Sequence, residues 1–328
     1  MIRNRCAALV LACACVTTAV APSAQAAAPL PWQLVGTGIT GGVSGLAVVP
    51  GTSAGPGTAD VVVARDNKKD HEERLVSVRL RDGLEPVVSP LRWVGEPPPK
   101  DLEALDGVPG LPDHYIALGS RGIAYHVVVA DGAATVVGDP VTLPDRRDGD
   151  DYESFALAQP VAGRTVAVWA SRGKSEEAAV VRAAAVTVGD RGLAIDPPSD
   201  RAEFAVPFPD EDEVRHISDL KILRDGTLLA SSASDPNQDD GPFASAVYNA
   251  GSLALDGTGR PVLRLRAAYC LLPLRLFTKD DNRKVEAVAV LPDGRALWGT
   301  DDENHGGSLA FDRVRTGPTG PCPQPRNG

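Results

Sequence analysis

Residues 285–300 read VEAVAVLPDGRALWGT, two apolar runs separated by a Pro-Asp-Gly turn. An Asp-Gly pair between apolar runs is a strong signal for a β-hairpin. The first run is apolar almost throughout, which is typical of a strand that neighbouring sheets cover on both sides. It opens on an acid, Glu286, and the second run is followed by two more acids, Asp301 and Asp302. The stretch therefore predicts a buried hairpin whose acidic residues gather at one end.

The same plan recurs five times along the chain. Each copy has an apolar first strand that opens on a polar residue, then a turn, a second strand followed by a polar cluster, and a third, outer strand. The opening residues recur every 50 to 67 positions and are Ser44, Glu103, Glu153, Asp219 and Glu286. Internal repeats of about this length are typical of propeller blades.

These repeats predict an all-β chain folded as a single β-propeller of five or six blades. A large β-sandwich would use the same strands, but it gives no reason for an acid to recur at the start of the first strand. The short strand around residues 33–35 is expected to close the ring by pairing into the last blade. We see no linker in the sequence and expect one propeller domain over residues 27–316.

Composition narrows the class of protein. The 328 residues include 33 glycines and 28 prolines, which disfavour a helical bundle because both residues break helices. The formal charge of −10 argues against a general nucleic-acid binder, which needs a basic face. Beyond the first residues, no apolar run is long enough to span a membrane. We expect a monomer without nucleic-acid or membrane partners, whose ligand is a small molecule or another extracellular ligand.

The first 26 residues have the pattern of a secretory signal peptide, with a positive start, an apolar stretch and a small-residue cleavage site, AQA, at residues 24–26. Cleavage there leaves two cysteines, Cys270 and Cys322, and an oxidising compartment favours a disulfide between them. We expect a secreted, extracellular protein in which this bridge pins the Pro-rich tail, residues 317–328, to the propeller.

The opening acids and the polar clusters are predicted to meet on one face of the disc. The first two strands of a blade are antiparallel, so the start of the first lies beside the end of the second. Carboxylates around a narrow axis repel one another, so arginines, a cation or protonation must compensate their charge. The candidate metal ligands are Glu103, Glu153, Asp219, Glu286 and Asp301. Because all five offer oxygen atoms, the site is expected to hold Ca²⁺ or Mg²⁺ rather than zinc.

Other side chains at this face are candidates for catalysis and substrate binding. Glu103, Glu153 and His305 are the candidate catalytic residues, and His305, just after an acidic cluster, is a candidate general base. Arg65, Arg121 and Arg172 follow second strands and are the candidate substrate-binding residues, because a guanidinium binds anionic groups through its planar fork. The other interpretation is a ring of Glu–Arg pairs that only holds the blades in register.

Two parts of the sequence resemble a known family. DLEAL at residues 101–105 is followed by ALGSRG at 117–122, and VEAV at 285–288 is followed by PDGR at 292–295 and GTDD at 299–302. This pattern is similar to that of the phytase-like (esterase-like) propellers of secreted bacterial proteins. The resemblance implies a propeller with acids around one face and, in some relatives, hydrolysis of ester or phosphoester bonds. Ser44 and the leucine after Asp219 depart from the pattern.

Two functions of different kinds follow from these observations. The first is an extracellular hydrolase of a phosphoester, an ester or a lactone, in which a divalent cation activates water. The second is a non-catalytic propeller that binds a ligand, a glycan or a protein. A nicotinamide-dependent oxidoreductase has no support, because the sequence has no Gly-rich dinucleotide loop after a strand.

Overall fold

The computed structural model describes residues 29–95, 97–210, 213–234, 236 and 238–313, and these form an all-β protein. The described residues contain 23 strands and no α-helix, together with three short 3₁₀ helices, Ile39–Gly41, Ala268–Cys270 and Glu303–His305. Within this part of the chain, none of the helices is long and apolar enough to cross a membrane. The predicted signal peptide, Cys322 with its predicted bridge, and the Pro-rich tail lie outside the described residues.

The first two blades share one continuous sheet, which the chain builds after a short first strand, β1 (Gln33–Gly36). Blade 1 consists of β2 (Gly45–Val48), β3 (Ala59–Ala64), β4 (Leu75–Leu80) and β5 (Val87–Val94). Blade 2 consists of β6 (Leu102–Gly107), β7 (His114–Gly119), β8 (Ile123–Ala130) and β9 (Ala133–Val136), with β10 (Val141–Thr142) on β8. The outer strands β5 and β9 pair in parallel and join the two blades at the rim.

Blades 3 and 4 repeat a single plan in which a long third strand pairs with two outer strands. Blade 3 consists of β11 (Tyr152–Val161), β12 (Arg164–Ser171), β13 (Ala179–Gly189), β14 (Gly192–Ile195) and β15 (Asp200–Phe204). Blade 4 consists of β16 (Val214–Ile222), β17 (Thr227–Ser234), β18 (Ser245–Leu255), β19 (Pro261–Leu265) and β20 (Pro273–Phe277). β13 pairs antiparallel with both β14 and β15, and β18 pairs antiparallel with both β19 and β20.

Blade 5 is completed by the start of the chain. Its own strands are β21 (Val285–Val290), β22 (Arg295–Thr300) and β23 (Gly307–Arg313), and β1 pairs antiparallel with β23, Gln33 opposite Leu309. The innermost strands β2, β6, β11, β16 and β21 contact one another in this order, and β21 contacts β2 again. The propeller therefore has five blades, and the predicted closure of the ring by the N-terminal strand is confirmed.

The hydrophobic core lies between neighbouring blades. Val166 of blade 3 belongs to the same buried cluster as Ile217 of blade 4. Phe155 and Trp169 of blade 3 belong instead to a cluster that includes Ile116 of blade 2. A first or second strand is thus covered on both faces, which explains why these strands are apolar almost throughout.

Arg65 anchors the closing strand. Its side chain lies just after β3 and is only 2% exposed. Nη2 donates to the carbonyl oxygen of Val35 on β1, and Nη1 donates to the carbonyl oxygen of Gly42, both at 3.0 Å. This placement corrects the prediction that Arg65 binds substrate, because its guanidinium is engaged with backbone carbonyls that tie blade 1 to β1.

Replacing Arg65 with methionine is expected to destabilise the protein by about 3 kcal/mol, since two buried carbonyls would lose a charged hydrogen-bond donor. The free energy of unfolding, measured by urea denaturation, checks this expectation. Arg79 on β4 is exposed and offers a matched control, Arg79→Met, which should change stability little. Equal, small effects of the two substitutions would contradict the anchoring role.

Candidate functional site

Three glutamates are aimed toward the centre of the ring by the same backbone irregularity. In blade 5, the residues on either side of Glu286 pair with consecutive residues of β22, so Glu286 itself has no cross-strand partner. The register shifts in the same way around Glu103 on β6 and Glu153 on β11. A β-bulge of this kind re-aims one side chain out of the regular alternation of a strand. The three glutamates consequently line one cavity.

This cavity, which we call the mouth cavity, has a volume of about 480 Å³ and receives side chains from all five blades. Its charged lining is mainly acidic. The acids are Asp66, Glu72, Asp101, Glu103, Asp151, Glu153, Asp239, Glu286, Asp301 and Glu303, and the cations are Lys68, Lys69, Arg172, Arg215 and Lys284. Ten carboxyl groups face five cationic groups, so the mouth attracts cations and repels anions.

On the side of blades 3 to 5, basic side chains pair with the acids. Nη1 of Arg215 lies 2.8 Å from Oε1 of Glu286 and 3.6 Å from Oε2 of Glu153. Arg172 approaches Glu153 from the other side, at 3.4 Å. The buried ammonium of Lys284 lies 3.6 Å from Glu286, 3.9 Å from Asp301, and in contact with Glu303. We call this region the balanced half of the mouth.

On the side of blades 1 and 2, three acids meet with much less compensation. One carboxylate oxygen each from Asp66, Asp101 and Glu103 lies within 4.8 Å of the others, and we call these residues the acidic trio. Asp101 accepts a hydrogen bond from the hydroxyl of Ser120 at 2.6 Å and pairs with the exposed Lys68 at 3.0 Å. Among the described residues, no cation pairs with Glu103. The trio thus concentrates negative charge at one point of the cavity.

Burial and mutual repulsion raise the pKa of the central carboxyl groups. Loss of hydration is the main cause for each of them. It raises the pKa of Glu153, Glu286 and Asp301 to about 7, and that of Asp66 to about 6. The pKa of Glu103 lies well above its usual range, because Glu153, Asp66 and Asp101 add their charges to the effect of burial. These groups either hold protons near neutral pH or need a cation to release them.

Asp219 lies away from the mouth cavity. It is 0% exposed, Oδ1 accepts from the backbone N–H of Leu220, and Oδ2 accepts from that of Val288, both at 2.7 Å. The prediction that Asp219 is a metal ligand is therefore corrected: its carboxylate pins blade 4 to blade 5. The cause is a longer irregularity in β16, where three residues between Arg215 and Asp219 face one residue of β17. Arg215, not Asp219, reaches the mouth.

Asp106 of blade 2 makes the equivalent connection to blade 3. Its carboxylate accepts from the backbone N–H of Leu157 at 2.8 Å. The buried Lys221 donates to the carbonyl oxygen of Leu105 at 2.8 Å, and its ammonium lies within 3.9 Å of both Asp106 and Asp219. These groups form a polar centre below the mouth that joins blades to one another.

Two further predictions need correction. Arg121 is exposed and does not line the mouth cavity, so its place does not suit substrate binding there. His305 is exposed in the last 3₁₀ helix, and its Nε2 lies 3.3 Å from the carbonyl oxygen of Asp240 instead of facing the cavity. The structure does bring together Glu103, Glu153, Arg172, Glu286 and Asp301, as the sequence predicted.

The charged residues of the mouth that sequence reasoning missed include Asp101, Arg215 and Lys284. Asp101 lies immediately before β6, outside the strand. Arg215 and Lys284 are basic, whereas acids were expected near the start of these strands. A signal for Arg215 was present, because in each of blades 2 to 5 the inner-strand side chain that lines the mouth follows an apolar residue. These apolar residues are Leu102, Tyr152, Val214 and Val285. Aligning the blades on them places Arg215 beside the three glutamates.

No protein-family model and no curated protein matches the sequence. Solved structures with a similar backbone include a thermostable family-43 glycoside hydrolase, 12% identical, with a TM-score of 0.48 over 88% of this chain and 97% of that chain. An α-L-arabinofuranosidase from Podospora anserina is 12% identical, with a TM-score of 0.45 over 87% and 98%. The RRP9 WD40 repeats are 13% identical, with a TM-score of 0.36 over 83% and 67%. At this level of identity, similarity bears on the fold alone.

The strand pairing and the site together define the class of protein: a five-bladed β-propeller whose inner strands gather carboxyl groups at one mouth. Its blades are held by buried polar contacts as well as by the apolar core. Within this mouth, the acidic trio brings three carboxylate oxygens within 4.8 Å of one another.

The raised pKa values predict that the protein without added cations is more stable at pH 5 than at pH 7.5. The folded carboxyl groups keep protons up to about pH 7, whereas unfolded ones release them near pH 4, so the free energy of unfolding falls as pH rises between these values. Thermal midpoints in EDTA across this range check the slope.

Glu103→Gln should flatten this dependence, because it removes a buried group whose pKa is raised. Glu85→Gln, at an exposed position of the turn after β4, should keep the wild-type slope. A midpoint that rises from pH 5 to pH 7.5 in the wild type would refute the expectation.

Proposed function

We propose that the protein is a hydrolase that binds a divalent cation at the acidic trio and cleaves a carboxylic ester or a lactone in the mouth cavity. The observation that carries this proposal is the close approach of three carboxylate oxygens, within 4.8 Å, in a place where no described cation pairs with Glu103. A bound divalent cation would relieve the repulsion that raises the pKa of Glu103 and Asp66.

The chemistry of the trio favours a hard cation. Three carboxylates suit Ca²⁺ or Mg²⁺, and Ca²⁺ takes six to eight oxygen ligands, so three protein ligands leave room for water and substrate. When bound, such a cation polarises a carbonyl group and lowers the pKa of water. The ligand set proposed here shares only Glu103 with the predicted one, since Asp66 and Asp101 replace Glu153, Asp219, Glu286 and Asp301.

Glu153 is the proposed general base. Its carboxylate is buried and faces the mouth cavity beside the trio, and its pKa of about 7 suits proton transfer near neutral pH. It would take a proton from the water that attacks the carbonyl carbon. The bond from that carbon to the alcohol oxygen then breaks, and Glu153 returns the proton to the leaving oxygen. The products are a carboxylic acid and an alcohol, joined in one molecule when the substrate is a lactone.

The charge of the mouth favours a neutral substrate. The lining has twice as many acids as cations, so a phosphomonoester with its two negative charges would be repelled before it reached the trio. Arg172, with 28% of its side chain exposed, lines the same cavity beside Glu153 and would donate a hydrogen bond to the oxygen of a bound ester. The resemblance to phytase-like (esterase-like) propellers fits an ester substrate, and the predicted signal peptide fits a secreted protein.

Glu103→Gln is expected to weaken Ca²⁺ binding by at least tenfold and to lower hydrolysis by a similar factor, because it removes one of three charged ligands. Isothermal titration with CaCl₂ measures the affinity. Turnover of p-nitrophenyl acetate and δ-valerolactone, with and without EDTA, measures the reaction. In the wild type, Ca²⁺ at 100 times its dissociation constant should also stabilise the fold by about 2.7 kcal/mol.

Glu85→Gln serves as the control, because it removes the same charge at an exposed position that does not line the mouth cavity. Hydrolysis that persists unchanged in EDTA would reject the role of the cation. Ca²⁺ binding without turnover of any ester or lactone would favour the non-catalytic propeller.

A further inference from the structure

Arg215 occupies the position in blade 4 that a glutamate occupies in blades 2, 3 and 5. It follows the buried Val214 at the start of β16, as Glu153 follows Tyr152 at the start of β11. Its side chain therefore enters the mouth cavity from the inner strand, at the same level as the opening glutamates.

The guanidinium of Arg215 connects the inner strands of three blades. From blade 4, Nη1 lies 2.8 Å from Glu286 of blade 5 and 3.6 Å from Glu153 of blade 3. Glu286 is also within 3.6 Å of Lys284, a side chain that is almost completely buried. Lys284 of the same blade thus holds Glu286 in place. Arg215, which contacts Glu286, in turn holds Glu153.

The two arginines at Glu153 differ in their freedom. The side chain of Arg172 is 28% exposed and pairs with Asp151 and Glu153 of its own blade. The side chain of Arg215 is 14% exposed and is held by carboxylates of two other blades. Arg172 thus joins two acids of its own blade, whereas Arg215 is shared by Glu153 and Glu286. Moving Arg215 would leave Glu153 with Arg172 at 3.4 Å and Glu286 with Lys284 at 3.6 Å, and would remove the cation that links the two blades.

We propose that Arg215 is the positioning residue of the site: it holds Glu153 in the orientation that faces the acidic trio and has no contact of its own with substrate or cation. This inference rests on the proposed function, since it assigns a role to Arg215 in the same reaction. Arginine suits the task better than lysine, because its planar guanidinium presents its donors in fixed directions, and Nη1 lies near both carboxylates.

Removing the guanidinium should impair turnover more than binding. We expect Arg215→Ala to lower kcat for δ-valerolactone about 100-fold, since a misplacement of about 1 Å costs roughly this factor. KM and the Ca²⁺ dissociation constant should each stay within about threefold of the wild type. Arg215→Lys, which keeps the charge but loses the fork, should recover part of kcat.

Chemical rescue separates positioning from mere stabilisation. Guanidinium chloride at 10–50 mM, roughly a hundredth of a denaturing concentration, should restore at least a tenth of the lost kcat in Arg215→Ala and have no such effect on Arg215→Lys. Arg224→Met, an exposed arginine in the turn between β16 and β17 of the same blade, is the control and should leave kcat, KM and rescue unchanged.

Every outcome bears on the inference. An unchanged kcat in Arg215→Ala overturns it, as does a loss of kcat accompanied by an equal loss of Ca²⁺ affinity. A loss without guanidinium rescue, in protein whose circular dichroism is native, also overturns it. If Arg215→Ala does not fold, Arg215→Lys decides, with a tenfold lower kcat at constant KM and Ca²⁺ affinity expected. Wild-type protein that hydrolyses neither ester nor lactone would instead refute the proposed function itself.

Discussion

Repulsion among carboxyl groups that ring closure forces together is the constraint on which the centre of this propeller depends. In an isolated hairpin, an acid at the start of a strand would remain hydrated and ionised. Five blades closed by β1 leave no such freedom, because their inner strands start around one axis and the opening glutamates of three of them enter one cavity. Burial then raises the pKa of Glu153, Glu286 and Asp301 to about 7. Charge has to be supplied from within the ring or by something bound in it.

The backbone decides which side chains take part in this balance. A one-residue bulge in β6, β11 and β21 aims a glutamate at the mouth, and a three-residue irregularity in β16 aims Arg215 there and carries Asp219 deeper. A small change in strand register thus decides whether the side chain at a given position of a blade lines the mouth or joins two blades. This coupling links blade packing to the chemistry of the cavity.

Much of the fold was predictable from the sequence, because its signals are local. Apolar runs, Asp-Gly turns and the repeat of opening polar residues are sufficient to predict a propeller, its closure by the N-terminal strand, and the face on which the acids meet. The length of a bulge has no such signal, so Asp219 was placed at the mouth. Arg215 was missed because the blades were aligned on their acids and not on the apolar residue that precedes each mouth side chain. Arg65 was misplaced for a related reason, since the sequence after β3 does not reveal that its guanidinium turns toward β1.

The distribution of compensating charges distinguishes the two interpretations of the ring. If the acids only held blades in register, each would be expected to have a basic or backbone partner. This is true of Glu286 with Arg215 and Lys284, and of Asp219 with two backbone amides and nearby Lys221. The acidic trio departs from the rule, because Lys68, which pairs with Asp101, is two-thirds exposed and Glu103 has no such partner among the described residues. Blade registration therefore accounts for the partnered acids but not for Glu103, whose negative charge costs stability unless a proton or a ligand compensates it.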